Sequence, residues 1–276
     1  MKVAINYSPA AASLVKEGKV DLDLFKCPSP FDSVVRDHAP SLIADARSLL
    51  PVYIHFPLHT GGGRLYEERW DDIARICTET ETPNINLHLG ATRNDFPGLS
   101  VDADDNSQVT EWLMEKVQCV AKRFGYDKVI VENVVYRGSE GETLQASVEP
   151  ETISNVLRET GCGLLLDTAH AMLTSQAMGI DPREYISRLP LDRLRELHVT
   201  GVEMSDGNWR DSMPMRDDDW ALCEWVLARI HAADWPVPWA VALEYGGVGP
   251  KFEWRSDRTA IYEQIARLHQ LVHAAA

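Results

Sequence analysis

"GLLLDTAHAMLT", residues 163–174, drives three leucines straight into a carboxylate, Asp167, and places an imidazole, His170, three positions further on. A short run that is apolar without alternation reads as a strand covered on both faces, the habit of parallel strands flanked by helices. Where such a strand turns polar it has reached a solvent-facing rim. One polar strand end is unremarkable; a rim of them is a site.

The pattern recurs. Similar runs are "KVAINYS" (2–8), "DLDLFKC" (21–27), "PVYIHFPL" (51–58), "NINLHLGA" (84–91), "KVIVENV" (128–134), "ELHVTG" (196–201) and "WAVALEYGG" (239–247). Segments of helical period lie between them: 32–50, where Pro40 is expected to kink or split the helix, then 109–125, 149–163 and 217–233. A last one, 256–276, follows a candidate cap at Ser256. Eight strands alternating with eight helices, the first and sixth of them short, predict a single (β/α)₈ TIM barrel over residues 1–276.

The composition sets limits. Hydrophobic residues make up 45% and charged residues 25% of 276, the balance of a globular protein. A net charge of −15 argues against a phosphate-backbone partner, so no nucleic acid is expected. No apolar run nears the ~20 residues that span a bilayer. "MKVAINYSPAAASLVKEGKVD" has too short an apolar stretch for a signal peptide, so a cytoplasmic protein without a membrane partner is expected. Five scattered cysteines, none spaced as CxxC, fit neither a disulfide framework nor a thiolate zinc site.

In a (β/α)₈ fold the C-terminal strand ends carry the chemistry. Here they deliver His55, His88, Glu132 with Asn133, Asp167 with His170, His198 and Glu244, while Asp211 is expected in the loop after strand seven. A single strand-end His is more often structural, and Glu132 could cap a helix. Carboxylates gathered on one rim, however, repel unless a cation joins them. Lysine and arginine are sparse there, Lys26 on strand two being the clearest case, so the cation is expected to be a metal. Imidazole with carboxylate suits zinc, manganese or iron. One metal is expected on His55, His88 and Glu132, and a second on Glu132, Asp167, His198 and Glu244, with Glu132 bridging. His170 and Asp211 are left for a third site or for orienting the ligands.

This succession resembles the multi-metal site of the xylose-isomerase-like barrels, a superfamily of sugar isomerases and epimerases, endonuclease IV and multinuclear non-heme iron oxidases. "VENV" (131–134), "YISRLPLDRLRELHVTG" (185–201), and "DSMP" followed by "DDDWALCEWVLARI" (217–230) are most similar to the oxidases of the DUF692 type. The resemblance implies a di- or tri-iron centre on the residues named, with Asn133 a ligand or a neighbour of one. It also implies dioxygen as oxidant and cysteines of a small peptide as substrate, usually delivered by a partner protein. The family's Asp-x-His after strand seven reads Asp211-Ser212-Met213 here, and a thioether is a poor ligand for hard iron. Two metals are therefore expected, and a third lacks its His. The text after Glu244, "YGGVGPKFEWRSD", is longer and richer in glycine than in the peptide-modifying members, which leaves room for a different, small-molecule substrate.

The leading reading is a metal-dependent oxidase with His170, Asp211 and His59 available for proton handling, and "TGGG" (60–63) as a loop closing on substrate. The alternative is a sugar isomerase or epimerase, in which Glu132 and Glu244 would exchange protons on two faces of one carbon. Phosphodiester hydrolysis of the endonuclease IV kind fits the acidic chain less well, and a non-catalytic metal-binding protein is a further reading. Trp209 and Trp254 are candidates for a pocket wall.

Overall fold

The computed structural model describes residues 1–31, 39–63, 65, 69–103, 107–205, 207–249 and 252–274. Its strands are β1 Lys2–Asn6, β2 Leu24–Pro28, β3 Val52–His55, β4 Ile85–Leu89, β5 Val129–Asn133, β6 Gly163–Asp167, β7 Leu194–Val199, β8 Gly201–Ser205, β9 Asn208–Met213 and β10 Ala240–Leu243. The first five helices are α1 Pro9–Lys16, α2 Ala39–Arg47, α3 Trp70–Thr80, α4 Ser107–Phe124 and the short α5 Gln145–Val148. They are followed by α6 Pro150–Thr160, α7 Thr168–Met178, α8 Pro182–Ser187, α9 Asp217–His231 and α10 Arg258–Val272. Strands alternate with helices, as a (β/α)₈ fold requires.

The chain falls into two compact units. One comprises Met1–Phe56, Arg75–Pro83 and Glu196–Ala276, the other Pro57–Ala74 and Asn84–Arg195. In the first, parallel strands run in the order β3-β2-β1-β10-β7. The register sets Lys26 opposite Tyr53, Pro28 opposite His55, and Ala242 opposite His198. Side chains alternate with period two, so Lys26, His55 and His198 share a face with Ala4, Leu24, Tyr53, Ala240 and Ala242, which cluster together with Trp239 against them. On the other face Val3, Ile5, Phe25, Ile54, Leu197, Val199, Val241 and Leu243 are buried, and α2 and α10 pack on this part of the sheet. Burial on both faces is the reason these strands read as near-continuous apolar runs.

The second unit pairs β4, β5 and β6 in parallel, with His88 opposite Glu132 and Glu132 opposite Leu165. The same alternation puts His88, Glu132 and Asp167 on one face. α4 and α6 pack together in this unit, and α6 stops at Gly161, whose φ of 74° is the left-handed cap that glycine adopts without strain.

Three details differ from expectation. Asp257 caps α10, its side chain accepting from Ala260 N at 2.7 Å, while Ser256 Oγ is taken by the backbone of Gly247. The stretch after strand seven is an antiparallel hairpin, β8 with β9, rather than a loop. Of the helix expected over 32–50, residues 32–38 lie outside the described residues, and α2 has Pro40 in its first turn, where a missing N–H costs nothing. Among the described residues no helix is long and apolar enough to cross a membrane.

Candidate metal centre

In the first unit, His55, His198 and Glu244 each offer a ligand atom within 4.8 Å of the others. His55 ends β3, His198 lies near the end of β7, and Glu244 follows β10 directly. His198 is fully buried, its ring centroid 5.2 Å from that of His55. Its Nε2 lies 2.8 Å from Glu196 Oε1, and its Nδ1 lies 3.1 Å from Glu244 Oε1. Glu196 Oε2 accepts in turn from Trp239 Nε1 at 3.0 Å. Burial alone would raise the Glu196 carboxyl, but the hydrogen bond from His198, the indole N–H and the Lys26 ammonium outweigh it and hold the group below its ordinary value. With Nε2–H given to Glu196, Nδ1 turns a lone pair toward a carboxylate oxygen. Two acceptors that close are complementary to a cation, and a carboxylate behind the imidazole is the usual support for a metal-binding His. Lys26, 5% exposed, also pairs with Glu244 Oε1.

In the second unit, Glu132, Asp167 and His170 form the corresponding group. Glu132 and Asp167 are 1% and 0% exposed, and burying two neighbouring carboxylates is costly unless a cation joins them. Asp167 serves in two ways. It ends β6, and its Oδ1 caps α7 by accepting from His170 N at 2.7 Å. That first helical turn brings the His170 ring back, Nδ1 3.5 Å from Glu132 Oε1. Nδ1 also lies 2.8 Å from the carbonyl oxygen of Asn133. A carbonyl only accepts, so Nδ1 carries the proton and Nε2 the lone pair. His88 repeats the device: Nδ1 donates to Leu58 O at 2.8 Å and Nε2 stands 3.4 Å from Glu132 Oε2.

The structure thus groups His170 with Glu132 and Asp167, where the sequence alone left it aside. The Asn133 side chain bonds the Asp167 backbone through both ends, Oδ1 accepting at 2.8 Å and Nδ2 donating at 3.0 Å, and so ties β5 to β6 beneath the ligands. Asp211 lies in β9 next to Ser212, whose φ of 57° is left-handed, and it belongs to neither group. His59 stacks on His88, centroids 4.2 Å apart and planes 10° from parallel. In the "TGGG" segment, Thr60 Oγ1 donates to Gly90 O at 2.7 Å and Gly62 N to Asp95 Oδ2 at 3.1 Å. Trp254 is half exposed, and Trp209 sits on the hairpin opposite Met204. Glu196 and Trp239 escaped sequence reasoning. The signal was a glutamate two residues before His198 on the same face of a buried strand.

The family model for the RiPP precursor modification enzyme MbnB/TglH/ChrH matches residues 30–253. The chain belongs to this family. Relatives of this DUF692-type group carry the name UPF0276 protein. One from Bordetella pertussis is 32% identical over 243 residues, covering 82% of this chain and 81% of its own. One from Acaryochloris marina is 30% identical over 134 residues, and the matched part spans less than half of that relative, 47%. Among solved structures, a D-psicose 3-epimerase with D-tagatose from Clostridium cellulolyticum H10 superposes with a TM-score of 0.58 at 15% identity, covering 99% of this chain and 98% of its own. A xylose isomerase-like TIM barrel protein from Mycobacterium smegmatis in complex with magnesium gives 0.57 at 12% identity, covering 100% and 98%. At such identities the likeness establishes the fold, a xylose-isomerase-like TIM barrel.

Proposed function

We propose that this family member is a metal-dependent oxidase that uses iron and dioxygen to modify a peptide, one divalent ion resting on His55, His198 and Glu244 and another on Glu132, Asp167 and His170. The observation that carries the reading is the paired donor set, imidazole and carboxylate in both units with ring tautomers fixed from behind. Such nitrogen and oxygen donors suit iron, and also zinc or manganese, and disfavour thiolate-seeking ions. Iron held there would supply dioxygen binding and Lewis acidity toward a substrate thiol or oxygen.

The protein's own part is positioning. Glu196 and the Asn133 and Leu58 carbonyls aim the imidazoles, and Asn133 fixes the spacing between the ends of β5 and β6. His59, stacked on His88 and half-buried, is placed to exchange protons with a substrate on that side. The family's name points to a precursor peptide, and a partner protein that delivers it accords with the family resemblance.

The test needs no known substrate. Protein reconstituted anaerobically with ferrous iron is exposed to nitric oxide, a stand-in for dioxygen, and its electron paramagnetic resonance is recorded. A ferrous–nitrosyl signal that is lost in Asp167→Ala supports the oxidase. A colourless protein that keeps one manganese or magnesium ion and epimerises a ketohexose would transfer the reading to the isomerases.

A further inference from the structure

We propose that Lys26 is a built-in competitor for the metal on His55, His198 and Glu244, so that this group holds its ion weakly and exchangeably. The inference rests on the metal-dependent reading above and goes one step past it, to the relative ease with which one of the ions leaves.

Lys26 sits near the end of β2 on the face that carries His55, and only 5% of it is exposed. Its ammonium pairs with Glu244 Oε1, the oxygen that also lies 3.1 Å from His198 Nδ1. The same charge reaches Glu196, the carboxylate behind His198. The protein's own cation therefore occupies the oxygen a metal would take, and it addresses both carboxylates of the group. A divalent ion binding His198 Nδ1 and Glu244 must displace the ammonium or lie beside it. Displacement loses a charge-assisted hydrogen bond in a buried place, and cohabitation sets a +2 ion against a +1 ion where screening is poor. Either way the affinity falls. The arrangement also avoids leaving Glu196 and Glu244 without a counter-charge when the ion is out, so the group survives losing it.

The experiment uses the full chain with His170→Ala, which disables the other group, stripped of metal and titrated with cobalt(II) by calorimetry and visible absorption. Adding Lys26→Met should tighten binding by about tenfold or more. Lys26→Arg, which keeps the charge, should bind like the parent, and His198→Ala in either background should abolish the cobalt band. Lys26→Gln serves as a second uncharged variant if methionine perturbs folding, which circular dichroism checks. Equal or weaker cobalt binding in both uncharged variants, with the fold intact, overturns the competitor role. Should no chain bind cobalt, wild type included, the metal-dependent reading itself falls and this inference with it.

Discussion

Glu196 Oε1 lies 2.8 Å from His198 Nε2, and Trp239 holds the other oxygen of the same carboxylate at 3.0 Å. The imidazole is thereby fixed in one orientation with Nδ1 facing Glu244. Glu196→Gln keeps the shape but removes the charge that favours Nε2–H. It should weaken metal binding at His198 by about 10–100-fold. Calorimetric titration reads the affinity, and ¹⁵N chemical shifts of the ring read the tautomer. An unchanged tautomer with unchanged affinity would show that the carboxylate is packing alone.

Asp167 has two duties that substitution can separate. Asparagine retains an oxygen to cap α7, so Asp167→Asn should melt close to the parent. Asp167→Ala loses the bond to His170 N as well, at a cost of about 1 kcal/mol. Both should lose the metal held with Glu132 and His170. Thermal melts beside metal analysis check the separation, and equal destabilisation by both variants would contradict it.

Gly61 is needed because a Cβ there would stand 2.6 Å from the carbonyl oxygen of Gly90 and 2.7 Å from Asp95 Oδ2. The first neighbour is backbone and cannot swing aside. Gly61→Ala should cost roughly 1–3 kcal/mol in urea unfolding. It should also disturb the His59–His88 stack, visible in the histidine ring proton shifts. A neutral substitution would mean that residues 60–62 yield easily after all.

Much of this centre was legible because strand ends in a doubly covered sheet announce themselves: leucines give way to Asp167, and "VIV" gives way to Glu132 and Asn133. What could not be read was that His170 meets Glu132 and Asp167. His170 joins Glu132 because the α7 cap turns its ring back, a matter of helix geometry rather than spacing. Glu196 resembled any charged residue of a strand until its 2% exposure set it apart from neighbouring Arg195, which is exposed. The hairpin carrying Asp211 was missed because Asn208 to Met213 lacks the apolar alternation that marks a strand.

Burial pushes the thiols of Cys27, Cys162 and Cys223 up, that of Cys223 to about 12. An unfolded thiol ionises near pH ~8.5, so above that the unfolded chain binds fewer protons than the folded one. Stability should therefore fall as pH rises from there toward the folded values, by up to about 1.4 kcal/mol per pH unit for each thiol. Denaturant titrations between pH 8 and 10.5 measure the slope, which Cys223→Ala should reduce. Alkylation of the native protein should label exposed Cys119 first and spare these three. A flat profile, or labelling of Cys223 at the rate of Cys119, would contradict the burial argument.

The central claim is that two groups of this chain each hold a divalent ion. Its most direct test is metal content per chain by elemental analysis, on protein purified anaerobically from iron-supplemented cells, beside His198→Ala and Asp167→Ala. The account predicts at least one ion per chain in the wild type, iron among them, with the Glu132, Asp167 and His170 group the more fully loaded and each variant losing the metal of its own group. A wild-type protein carrying no stoichiometric metal, or variants that retain it all, would contradict the account.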